Sequence, residues 1–253
     1  MTEEKKDVST ESVSESTQAA SEPAKKKKGK KGKVVAIVVA VIVVLGIGFS
    51  VWHEQPSFCA AICHTPMDPY YTTYASGNED ALGNQLNSTE ASSMMSYTHG
   101  EAGLTCMSCH VPTLSEQVSE GMAWISGNYE VAGKNADGKY YLDSRTMADL
   151  TEARGVDQYQ FCQNSTCHAD TADSESHLAV TESLGSQYNP HNTTRHGEIP
   201  CTTCHKAHTQ SVNYCTECHA SAPVPDGWLT MQEAQEKGIV EYTPGQWLAA
   251  DAQ

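Results

Sequence analysis

The chain has 253 residues and a formal charge of −15, from 16 Lys+Arg against 31 Asp+Glu, the wrong sign for a nucleic-acid binder with its basic footprint. From Trp52 onward only 24 of 202 residues are Leu, Ile, Val or Phe, a proportion that normally excludes a packed core and marks a disordered chain. Either these residues do not fold, or their core is built from something other than side chains.

Residues 1–33 hold nine Lys and six acidic residues and are expected as a disordered cytoplasmic tail, ending in seven lysines between Lys25 and Lys33. Val34 to Val51 then run 18 residues without a charge. As a helix that is roughly 27 Å, most of a bilayer core. Residues 34–52 are therefore expected to be a single-pass cell-membrane anchor, with the lysines inside and the bulk of the chain outside. A cleaved signal peptide would need a small-residue site, and Ser50-Val51-Trp52-His53-Glu54 offers none.

Beyond the anchor the ten cysteines fall in five pairs, each followed at once by histidine. They read C-A-A-I-C-H (Cys59, Cys63, His64), C-M-S-C-H (Cys106, Cys109, His110), C-Q-N-S-T-C-H (Cys162, Cys167, His168), C-T-T-C-H (Cys201, Cys204, His205) and C-T-E-C-H (Cys215, Cys218, His219). Helical spacing predicts a helix over Leu114 to Val131, with Leu114, Val118, Met122 and Ile125 on one packing face, and shorter ones over Thr146 to Ala153 and Thr230 to Glu236. Residues 53–222 read as the cysteine-bearing domain and 223–253 as an acidic tail.

C-x-x-C-H is the attachment signature of c-type haem. Two thiols on one short turn reach the two vinyl groups of one porphyrin, and the next histidine offers its imidazole to the iron. Disulfides or zinc are the competing uses of such pairs, but neither requires a histidine after every second cysteine. With 11 His in 253 residues, five matches by chance have a probability on the order of 10⁻⁷. Five covalently attached haem c groups are therefore expected. Their flat apolar faces would supply the missing core, giving a mainly α fold with extensive loops and almost no β, on one N-terminal transmembrane helix.

Eleven histidines less five proximal ones leave His53, His99, His177, His191, His196 and His208, close to the number of second axial ligands required. His208 stands out because C-T-T-C-H-K-A-H places it one helical turn beyond His205. Met67 competes for the first haem, either as a thioether ligand or as packing on the porphyrin edge. His53, Glu54 and Asp68 lie close to the anchor and are candidate proton acceptors if a quinol is oxidised there, the alternative being simple solvation.

The anchor, the first motif with its trailing Met67 and Pro69, and Y-T-H-G-E-A-G-L-T-C-M-S-C-H-V-P together resemble the membrane-anchored quinol-dehydrogenase cytochromes of the NapC/NirT type. The likeness spans about residues 34–112, and the remainder looks like generic multihaem modules, including those that feed flavin reductases. The resemblance implies that Met67, rather than His64, ligates the first haem, and that membrane quinol, menaquinol in particular, is the electron donor. Departures are the three residues between Cys59 and Cys63, the longer His64–Met67 spacing, a fifth motif, and an apparent insertion over Asn78 to Ser96.

The expected function is an electron relay from quinol to an extracytoplasmic reductase, with a flavoprotein among the candidates. The alternatives are a terminal reductase of a small oxyanion and a conduit to a cell-surface acceptor. An acidic ectodomain would dock a basic partner face, with an association weakened by salt.

Overall fold

The computed structural model describes residues 30–240, apart from 143–146, 165, 169–178, 186, 192–195 and 198. The described residues divide into two units after Gly46, residues 30–46 and 47–240. The apolar run forms α1 (Lys30–His53), whose side chains from Val34 to Leu45 are exposed. Gly32–His53, with mean hydropathy 3.1, is long and apolar enough to cross a membrane.

The second unit is a chain of short helices joined by loops. In order they are α2 (Pro56–Ile62), α3 (His64–Ala75), α4 (Ser88–Ala91), α5 (Met95–Glu101), α6 (Cys106–Cys109), α7 (Leu114–Ser126), α8 (Met147–Arg154), α9 (Gln158–Cys162), α10 (Cys201–Cys204) and α11 (Met231–Glu236). Among the described residues the strands are two-residue pairs. β1 (Gly133–Lys134) runs antiparallel to β2 (Tyr140–Tyr141), and β3 (Val212–Asn213) parallel to β4 (Leu229–Thr230). The architecture is mainly α with extensive loops.

Helix boundaries follow capping chemistry. Asn87, Thr113 and Thr230 each open a helix through a capping box with Glu90, Glu116 and Glu233. α7 stops at Ser126 and not at Val131, because Gly127 takes a left-handed conformation (φ 68°) and terminates it. Its apolar stripe does not pack as expected: Leu114 is 77 % and Ile125 71 % exposed. The helix instead turns Gln117, Gly121 and Trp124 inward.

The side-chain core is small. Val212, Leu229, Met231 and Ala234 form one buried cluster, flanked by Tyr214, Ile239 and Val240. Leu229, Met231 and Ala234 come from the stretch expected as an acidic tail, and its described residues, up to 240, pack with this unit. Residues 241–253 lie outside the described ones.

The apparent insertion has a structural task. Asp80, fully buried, accepts hydrogen bonds from the Leu82 and Asn84 amides and from Asn84 Nδ2, all at 2.9 Å. The loop so fixed clamps residues 206–211. The Ala81 amide donates to the His208 carbonyl (2.8 Å), Met95 to Lys206 (2.9 Å), and Ser96 to Ala207 (2.9 Å).

Candidate haem-binding sites

Each cysteine pair lies on one tight turn. In α6 and α10 the thiols are three residues apart on one helical face, the spacing that suits two vinyl groups of one ring. The His110 and His205 amides close those turns onto the carbonyls of Cys106 and Cys201, both at 2.9 Å. The backbone then becomes extended at both histidines, ending the helix. The same closure recurs at His219 to Cys215 (2.8 Å) and, despite its four-residue loop, at His168 to Cys162 (3.2 Å). The first motif differs: Cys59 sits inside α2, Cys63 caps it, and His64 opens α3.

All ten thiols are free of disulfides, and neighbouring motifs meet through them. Cys59 and Cys106 share a hydrogen bond that lowers the Cys59 thiol to about 7 and raises that of Cys106. Cys201 and Cys162 are related in the same way, with Cys201 lowered to about 7 and Cys162 raised. Burial raises Cys109, with a further upward push from Cys167, and burial likewise raises Cys204, with a push from Cys215. Motif one therefore meets two, and three meets four, while Cys109 lies within the electrostatic reach of Cys167 and Cys204 within that of Cys215.

Four motif histidines each face a second imidazole from elsewhere in the chain. The ring centroids are 6.3 Å apart for His110 and His208, 6.0 Å for His168 and His99, 6.4 Å for His205 and His191, and 6.2 Å for His219 and His196. A metal–imidazole bond of about 2 Å plus about 1.1 Å from nitrogen to ring centre, taken twice, gives about 6.2 Å. The pairs thus have the separation that one iron between two rings requires. Two pairs are nearly parallel, 21° for His110/His208 and 5° for His205/His191; the others are twisted by 61° and 65°.

Hydrogen bonds orient three of the partner rings. Thr73 Oγ1 donates to the Tyr70 carbonyl (2.7 Å) and accepts from Ser96 (3.1 Å), so at 2.8 Å it also accepts from His208 Nδ1–H. Thr181 Oγ1 donates to Asn189 Oδ1 (2.5 Å) and accepts from His191 Nδ1–H at 3.0 Å. His99 bonds to the Met95 backbone, while burial and His168 lower its pKa. Burial, reinforced by His110, lowers the half-buried His208 to about 3, which keeps it neutral and able to ligate. His208 does not continue a helix from His205, since α10 ends at Cys204. It reaches across to the second motif.

The remaining expected residues lie elsewhere. His177 is outside the described residues. His64 and the half-buried Met67 share the first turn of α3, and the half-buried Asp68 follows them. His53 stacks edge-on to Phe58 at 4.8 Å and, with Glu54, Phe49, Ser50 and Gln117, lines a shallow cleft. Asp68 is not among its lining residues. Sequence reasoning missed Thr73 and Thr181, as well as Tyr70, whose ring stands edge-on at 5.0 Å to His208; the Trp228 ring stands likewise at 5.1 Å to His205. Thr73 and His208 are 135 residues apart, so no local pattern announces the contact.

Residues 146–220, which hold three of the motifs, match the family described as Cytochrome c3. The chain is 50% identical over 198 residues to the cytochrome c-type protein Cgr1 of Eggerthella lenta, an alignment covering 77% of this chain and 84% of that protein. The chain belongs to the multihaem c-type cytochromes. The cytochrome is also 36% identical over 62 residues to a Shewanella frigidimarina protein named "Probable fumarate reductase Ifc3", across 24% of this chain and 9% of that one. No solved structure matches it. The Cys-Cys-His turns and the imidazole spacings fit covalently held haem, and the function of a chain so equipped is electron transfer.

Proposed function

We propose that this cytochrome carries five covalently attached haem c groups and relays electrons from membrane quinol, menaquinol in particular, to an extracytoplasmic reductase. The four opposed imidazole pairs carry the reading. His110/His208, His168/His99, His205/His191 and His219/His196 would each hold one haem iron, a motif histidine together with a distant one. Where both axial positions are filled by the chain, no position is left for a substrate. That favours a carrier over a terminal reductase of a small oxyanion. When bound, the haems supply one-electron chemistry at low reorganisation cost. The Cys59/Cys106 and Cys162/Cys201 hydrogen bonds, with the electrostatic influence of Cys167 on Cys109 and of Cys215 on Cys204, support a row of haems in one-to-five order.

Eight histidines are used by these pairs, leaving His53, His64 and His177 with Met67. The first haem is assigned to His64 or Met67. It is thus the haem whose coordination departs from the others, as the NapC/NirT resemblance implies for a quinol-facing end. The cleft at Phe49, Ser50, His53, Glu54 and Gln117 lies where the apolar helix ends, and its His53 and Glu54 are the assigned proton acceptors for quinol oxidation. The name of the Shewanella relative joins a stretch like this one to a reductase, which supports a reductase as acceptor, with a flavoprotein among the candidates. Anaerobic mixing of the purified holoprotein with a reduced menaquinol analogue should reduce its haems within the mixing experiment. Haems that stay oxidised overturn the quinol assignment.

A further inference from the structure

We propose that Thr73 and Thr181 are positioning residues that set the imidazole planes, and hence the electronic character, of the second and fourth haem sites. The inference rests on the paired-histidine reading above. Both threonines do the same job with the same geometry. Each hydroxyl proton is committed elsewhere, Thr73 to the Tyr70 carbonyl at 2.7 Å and Thr181 to Asn189 Oδ1 at 2.5 Å. The oxygen can therefore only accept from the ring, which puts the imidazole proton on Nδ1 and leaves Nε2 as the metal-ligating nitrogen.

The two histidines so held belong to the two nearly parallel pairs, at 21° and 5°. The pairs at 61° and 65° contain His99, which bonds to backbone, and His196. A side-chain hydroxyl anchored at both ends removes the rotation about the ring's attachment axis that would let the plane drift. Ser96 locks Thr73 a third time at 3.1 Å, and the Asn189 side chain that receives Thr181 also accepts the His191 amide at 3.1 Å. Neither ring can turn without breaking a network that extends beyond it. An Nδ1–H donated to a fixed acceptor also makes the imidazole a stronger donor to metal, which favours the oxidised iron and lowers the reduction potential.

The test uses the full-length, haem-loaded protein in detergent, with Thr73→Val, Thr181→Val, Thr73→Ser and Thr181→Ser compared by potentiometric titration and electron paramagnetic resonance. Each valine variant should keep its full haem mass, displace one near-parallel (rhombic) low-spin signal, and raise the potential of one haem while leaving the rest in place. Each serine variant should restore the parent signal and potential. Valine variants that superimpose on the parent in both measurements overturn the inference, as does serine behaving like valine, which would show that the hydroxyl does not set the ring. Thr181 is less buried than Thr73, so Thr181→Val carries the test if Thr73→Val does not fold. His208→Ala separates the two levels. If it leaves every low-spin signal intact, the ligand pairing itself fails; if it removes one and Thr73→Val changes none, only the role of the hydroxyl fails.

Discussion

His110 and His208 face each other across 6.3 Å with their planes only 21° apart, although 98 residues separate them in the chain (208 − 110). His208 is held by Thr73 and by the clamp that the Asp80 loop applies to its backbone. Replacing His208 by alanine should convert one haem from low spin to high spin while leaving it covalently attached through Cys106 and Cys109. Absorbance near the high-spin charge-transfer band, together with intact-protein mass, would show both. A fully low-spin spectrum in that variant excludes His208 as a ligand.

The number of haems follows from the number of motifs, and mass spectrometry of the denatured protein can count them. Five additions of haem mass are expected, including one each at the widened pairs Cys59/Cys63 and Cys162/Cys167. Replacing Cys215 and Cys218 by alanine should remove one addition and leave four. A parent mass with only three additions would mean that the widened pairs stay as thiols.

Gly227 has φ +79°, and a Cβ placed on it would lie 2.1 Å from the Thr89 carbonyl oxygen. The left-handed conformation costs an alanine about 1 kcal/mol and forcing α4 aside about 1–3 more. Gly227→Ala should therefore destabilise the domain by about 2–4 kcal/mol and lower Tm by roughly 5–15 °C. A melting curve matching the parent's would show that the α4 segment is not fixed as described.

Glu233 accepts from the Thr230 amide at 2.8 Å in the capping box of α11, and these bonds lower its pKa below the usual 4.5. A depressed carboxylate contributes stability that is present above the unfolded value and lost as pH falls through the folded one. The α11 cap should hold from pH 5 upward and weaken below about 4.5, by about 1 kcal/mol when lost. Amide exchange of Ala234 and Gln235 measured on either side of that range should show it. Glu233→Gln should flatten the response; an unchanged pH dependence in that variant assigns the acid weakening to other groups.

Much of the site was legible in the chain because haem attachment is local chemistry. Two thiols and an imidazole must lie on one turn, so Cys106, Cys109 and His110 announce themselves within five residues. The apolar helix was equally plain, since 18 uncharged residues leave few alternatives. The packing of α7 was misjudged because periodicity shows that a face is apolar, not what covers it. The packing of residues 223–240 was less legible, because Leu229, Met231 and Ala234 are too sparse to signal a core, yet they suffice once β3 and β4 bring Val212 against them.

The sequence by itself determined the cofactor class, the long apolar helix and the shortage of side-chain core, since each depends on residue type and short spacing alone. Only the tertiary structure decided which histidine faces which. His208 follows His205 by three residues and yet stands opposite His110, while His191 takes the place opposite His205. The choice is made by bonds between distant segments, Thr73 to His208 and Ala81 to the His208 carbonyl, which no local spacing encodes. A pair of axial ligands is a contact across space, and contacts of that kind are fixed by the packing of the whole chain.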